Sequence, residues 1–189
     1  MLHGNRFLTI FFQTVVFLVH AVSANAEPQL VLHRKWVETQ DADGWYPAKS
    51  TKGHFFIKSP IPFNDYTITT VDENIGTLVI HGVGSKSTDG YEFGALETVL
   101  TEKSNPPNLQ LLVDAVAKKL KTASPNVSFH EKEGKIFGFA EVSGSNRTII
   151  MRLSLIQKRL FNVMCDFPTE QGQTGRDICK QYIESFRTE

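Results

Sequence analysis

Four histidines follow the apolar N-terminus of this chain: His33, His54, His81 and His130. Imidazole is the side chain best suited to moving protons or holding a metal near neutral pH. None of the four stands at a ligand-like spacing from another. No H-E-x-x-H, P-loop or dinucleotide fingerprint accompanies them. Distant histidines can still meet in a folded chain, so an enzymatic site would have to be assembled from His54, His81 and Arg152. Gly82-Val83-Gly84-Ser85 lacks the second glycine of a G-x-S-x-G elbow and has no helix after it, so Ser85 is not read as a nucleophile. Asp41-Ala42-Asp43-Gly44 opens like a calcium loop, but the later oxygen ligands and the closing Glu are absent, and it reads as a turn. No catalytic, cofactor-binding or metal-ligating residue is therefore assigned, and no cofactor is expected.

Other side chains raise structural questions. Arg152 lies on a strand flanked by apolar residues; buried, it would need Glu141 or Asp166, and otherwise it snorkels to the sheet rim. Trp36, Trp45, Tyr46 and Phe63 concentrate aromatic surface in the first third of the chain, where filling a core is expected and anchoring a partner is the alternative. Asn126-Val127-Ser128 and Asn146-Arg147-Thr148 match the glycosylation sequon, which has meaning only on a eukaryotic secretory path. Cys165 and Cys179 are expected to form a disulfide, because export leads to an oxidising compartment. Two buried free thiols are the alternative.

The elements that must position these groups centre on Gly134–Phe167, which reads as a three-strand meander. Ile136, Gly138, Ala140 and Val142 share one face, with Phe137 and Phe139 opposite. Met151, Leu153 and Leu155 alternate with Ile150, Arg152 and Ile156, and Phe161, Val163, Cys165 and Phe167 with Leu160 and Met164. Apolar groups on both faces imply a cover on each side. Turns fall at Ser143–Asn146 and at Gln157-Lys158.

Upstream, a first strand or short helical entry is read in Gln29–Thr39, short strands in Trp45–Ser50 and His54–Lys58, and a connector in Ser59–Pro62. A second antiparallel group follows, Asp65–Asp72, Ile75–Val83 and Tyr91–Thr101, with a bend at Asp72-Glu73-Asn74. After Ser104–Asn108, the stripe Leu109, Leu112, Val113, Val116 and Leu120 predicts an amphipathic helix capped by Asn108. Val127–Glu133 reads as a polar edge strand. Pro168–Gly175 reads as a loop, and Thr174 caps a last helix whose stripe is Ile178, Cys179, Tyr182, Ile183 and Phe186. The expected class is α+β, an antiparallel sheet flanked by two main helices.

At the N-terminus, Arg6 precedes an apolar run from Phe7 to Val19 and a small-residue site at Ala24-Asn25-Ala26. That is the pattern of a signal peptide spanning residues 1–26, cut between Ala26 and Glu27, with an uncleaved anchor as the alternative. The remainder, 27–189, has the size of one domain. Its charge is near balance, since the whole chain has 20 basic and 20 acidic side chains. That argues against nucleic acid and against strong attraction to an anionic membrane. A periplasmic or secreted location is expected, with no stable membrane anchor after cleavage.

A Trp-containing opening, then Gly53-x-Phe55-x-Ile57-x-x-Pro60-x-Pro62, strands, one helix, a three-strand meander and a closing helix with Ser185-Phe186 resembles the PsbP-like group of small exported domains. The resemblance implies an α/β/α sandwich. It also implies an accessory rather than enzymatic role, as in the group's photosynthetic members; no binding residue carries over. The expected function is an exported accessory or binding domain without catalysis, with an envelope protein as the kind of partner. The alternatives are a small extracytoplasmic hydrolase or metal-dependent enzyme, and an envelope stress or assembly factor.

Overall fold

The computed structural model describes residues 28–72, 76–100 and 107–189. The expected leader, its Ala26/Glu27 cleavage point, the bend at Glu73-Asn74 and the stop at 104–106 lie outside them. The strands are β1 (Gln29–Val37), β2 (Tyr46–Lys49), β3 (Phe55–Ser59), β4 (Phe63–Asp72), β5 (Gly76–Lys86), β6 (Glu92–Val99), β7 (His130–Lys132), β8 (Lys135–Ser143), β9 (Arg147–Ile156), β10 (Arg159–Pro168) and β11 (Arg187–Thr188). The helices are α1 (Leu109–Lys119) and α2 (Gly172–Glu184).

Eight strands form one antiparallel sheet in the order β1-β4-β5-β6-β10-β9-β8-β7, and β11-β3-β2 form a second of three strands. The expected α+β sandwich with two flanking helices is thereby overturned: the fold is mainly β. Two pairings explain the difference. The upstream strands and the meander join through β6 and β10, in register from Arg159 opposite Val99 to Asp166 opposite Glu92. The short strands β2 and β3 leave the main sheet, pair with each other and take up β11 from the C-terminus. A sheet thus shares with α2 the cover that a helix alone was expected to supply.

The alternation read in the meander places Phe161, Val163, Cys165 and Phe167 on what we call the first face. The small sheet and α2 pack there, with Phe55, Ile57, Phe93, Phe161, Tyr182 and Phe186 in one buried cluster. On the second face, the β8–β10 end packs against α1, where Leu109, Val113 and Val116 meet Ala140, Met151 and Leu153. Burying side chains of this size stabilises by about 1.5–3 kcal/mol each relative to exposure.

Local chemistry explains the helix starts. Asn108 Oδ1 accepts the Gln110 N–H at 3.0 Å, so α1 is capped as its sequence predicts. The last helix begins earlier than expected. A 3-10 turn at Thr169–Gln171 runs into Gly172, two positions before Thr174, and the first helical residue is a glycine with φ of 55°. A side chain would be strained there, and the expected loop Pro168–Gly175 is therefore largely ordered turn and helix. Cys165 on β10 and Cys179 on α2 are joined, their Cα atoms 5.4 Å apart, close to the usual disulfide separation of about 5.5–6 Å.

Candidate functional site

Strand β1 does something its sequence does not announce. Its register with β4 shifts between Leu32 and Arg34. The extra residue of such a bulge turns two consecutive side chains to one face. His33 Nε2 lies 2.7 Å from Thr67 Oγ1, and the neighbouring Arg34 Nη2 lies 2.9 Å from Asp65 Oδ2. Asp65 is fully buried and also accepts the Thr51 N–H at 2.8 Å, with the Ser50 and Thr51 hydroxyls beside it.

The row continues across the first face. Thr67 is opposite His81, and His81 is opposite Glu97. Thr67 Oγ1 is 3.0 Å from His81 Nδ1, so one hydroxyl stands between two imidazoles. Glu97 is 0 % exposed. Its Oε2 accepts the His54 N–H at 2.5 Å and its Oε1 pairs with Arg159. Arg159 Nη1 is also 2.6 Å from His54 Nδ1. A guanidinium only donates, so His54 Nδ1 is the acceptor in that contact, and it also lies 3.4 Å from Glu97 Oε1. Gly53 makes room for this packing: a Cβ there would stand 3.0 Å from Glu97 Oε2 and 2.6 Å from the Phe55 ring.

Burial pushes the His81 imidazole below its ordinary range. Glu97 pulls the other way, His33 and His54 add to the fall, and Asp65 opposes it weakly. His81 is therefore held toward its neutral form, able to exchange a hydrogen bond with Thr67 in either tautomer. Thr67 has one proton and two lone pairs, so it can relay a proton between His33 and His81. Both oxygens of Glu97 are engaged, Oε2 by the His54 N–H and Oε1 by Arg159.

Beside this row the first face is uncovered. Val31, Val71 and Val99 are 55, 46 and 36 % exposed. Val99 is opposite Val79 and Val79 opposite Thr69, Val31 is opposite Thr67, and Val71 lies two residues beyond Thr69, so the three exposed valines share this face, with Thr67, Thr69 and Val79 between them; we call this stretch of the face the valine shelf. Arg159 borders it opposite Val99.

Of the residues singled out from sequence, His54 and His81 do meet around a carboxylate, and His33 joins them through Thr67. Arg152 does not join them. Its guanidinium lies 5.6 Å from the centroids of both Phe139 and Phe186, and its buried Nε has no hydrogen-bond partner. Burial lowers its pKa, and Arg187 adds to that. The partners expected for it are taken: Glu141 pairs with Arg176 and Asp166 with Arg147, each at 2.8 Å. His130 sits on the edge strand β7, its ring centroid 5.8 Å from that of Phe137. Ser85 is buried in β5, 3.1 Å from the Ser59 hydroxyl. Asp41 closes its turn by accepting the Asp43 and Trp45 N–H groups and holds Lys58. Phe63 is buried and Trp45 and Tyr46 pack against the core, whereas Trp36 is exposed. Thr67, Glu97 and Arg159 were missed. Glu97 carried a faint signal, an acid at a position where Ala95 and Val99 occupy the same face.

Among the described residues, no group of three or more His, Cys, Asp or Glu is placed to hold a metal, and no helix is long and apolar enough to cross a membrane. Neither a family model nor a curated protein sequence matches this chain.

Proposed function

We propose that this chain is an exported accessory or binding domain without catalysis, which engages an envelope partner through the valine shelf and the His/Arg row beside it. The carrying observation is the exposure of Val31, Val71 and Val99 on one face of the main sheet, on β1, β4 and β6. Single exposed apolar side chains are ordinary; several on one sheet face, rimmed by polar groups, support reading that face as an interaction surface. Arg159 and His54 offer donors at its border, which suits a partner with an apolar strip flanked by a carboxylate.

The face, rather than the sheet edge, carries this reading. β1 has register shifts on both sides of Arg34, and β7 is three residues long with Glu131 and Lys132. Bulges and charges of this kind discourage strand addition. The PsbP-like resemblance enters this proposal for role alone, since the helix-flanked sandwich it implied is overturned.

A paired variant, Val31→Glu with Val99→Glu, tests the reading. Exposed substitutions shift stability by only about 0.5 kcal/mol, so circular dichroism should match the parent chain while recovery of the cognate envelope partner is lost. Recovery of the same partner at the same yield would reject the shelf. The enzyme alternative draws on the Thr67 hydroxyl between two imidazoles. Hydrolysis of an ester or amide probe by the parent chain, abolished in Thr67→Val, would favour that reading instead.

A further inference from the structure

Arg152, on the first face at the β8–β9 end, is a half-buried cation without an acceptor. It stands opposite Phe139 on β8 and opposite Val163 on β10. Its guanidinium lies over the Phe139 and Phe186 rings, which attract its charge but give its N–H donors no oxygen. Among the described residues none accepts a hydrogen bond from it, and its Nε is buried and unpaired. Ser154, two residues along the same face, is buried with its own hydroxyl unpaired and does not serve it.

The carboxylates around it are engaged elsewhere. Glu141, diagonal to it on β8, is held by Arg176, Asp166 by Arg147, and Glu184 at the end of α2 lies 3.9 Å from Lys180. What Arg152 meets instead is a second cation. Arg187 follows Phe186, donates through Nη1 to the Phe186 carbonyl at 2.7 Å and to that of Glu184, and its charge adds to the fall in the Arg152 pKa. Two cations kept together with no countercharge destabilise the fold, and a partly buried charge retained in that state points to an anion from outside. The spot is open to one: Phe139 is 54 % exposed, Arg187 is exposed and Arg152 is partly so.

We propose that Arg152, Arg187 and Phe139 form a binding site for a carboxylate carried on an aromatic or branched apolar group, with the carboxylate on the outer guanidinium donors and the apolar part on the Phe139 ring. The planar fork of a guanidinium matches the two oxygens of a carboxylate. The charge of the site suits one negative charge better than two. Arg187 Nη1 is already engaged by carbonyls at the C-terminal end of α2, where the helix dipole is negative. A phosphate dianion would therefore meet little more than one free positive charge. Phe139 offers the apolar part a surface to cover. The valine shelf lies on β1, β4 and β6, so this site stands independently of it.

Calorimetric titration of the purified protein with 3-phenylpropionate, set beside the neutral 3-phenylpropionamide and phenyl phosphate, tests the assignment. The parent chain should bind the carboxylate saturably, about tenfold more tightly than the amide, and more tightly than phenyl phosphate. Arg152→Met removes the charge but keeps a long apolar side chain. It should melt no lower than the parent without ligand and bind the carboxylate about tenfold more weakly. Arg187→Gln and Phe139→Ala, both at exposed positions, should keep the fold and each bind about threefold more weakly; they decide the matter if Arg152→Met does not fold. No saturable binding to the parent, unchanged binding by Arg152→Met or by both exposed variants, or equal or tighter binding of the amide or of phenyl phosphate would each overturn the proposal.

Discussion

At the residue scale the buried carboxylate of Glu97 is the most demanding group on the first face. Removing its cation leaves a charge away from water with only N–H donors, so Arg159→Ala should destabilise by about 3 kcal/mol or more. Arg176 and Glu141 form a partly exposed pair, and Arg176→Ala should cost less than about 1 kcal/mol. Denaturant unfolding of the two variants measures the contrast. His81 sets a pH dependence of definite sign. Its folded pKa lies below its unfolded one, so the unfolded chain binds more protons in the window just below the ordinary histidine value of about 6.5. Stability should therefore fall from pH 7.5 to pH 5.5, and His81→Gln should flatten part of that slope in melts across the range. Little of this site was legible beforehand. The four histidines could be counted, but the bulge that turns His33 and Arg34 to one face depends on which residue of β4 each one meets, and no local spacing encodes that.

The elements were more legible than their assembly. Alternation located the meander and its faces, and Asn108 and the apolar stripe located α1, because those signals are local. The closure of β6 on β10 and the departure of β2 and β3 into a second sheet are long-range choices, and they changed the class of the fold. The last helix was placed three residues late, since Thr174 has the chemistry of a cap but the 3-10 turn leads into a helix already capped at Gln171. Two predictions belong here. Cys165 and Cys179 are separated by 14 positions and both are fully buried. A loop of about 15 residues stabilises by about 3 kcal/mol in the chain-entropy description, so the double alanine variant should melt about 6–12 °C lower. Mass spectrometry of the purified protein before and after reduction should show a gain of two hydrogens; two free thiols at the outset would remove the basis for that shift. At Gly175 a Cβ would stand 2.3 Å from the Phe167 ring. Gly175→Ala should therefore destabilise by about 1–3 kcal/mol through overpacking, despite the better helix propensity of alanine.

For the whole molecule, the two faces of the main sheet have different fates. One end of the first face is sealed by the small sheet and α2, while its other end leaves valines in solvent beside a row of histidines and arginines. The near balance of charge gives no strong long-range field, so on the proposed reading recognition would rest on this local arrangement. The account stands or falls on that surface being where a partner sits. A photoreactive residue at Val99, compared with one at Leu111 on the exposed side of α1, tests it most directly in cells that produce the protein. The account predicts one discrete crosslinked species from Val99 and none from Leu111. Crosslinking from Leu111 with Val99 silent would contradict it.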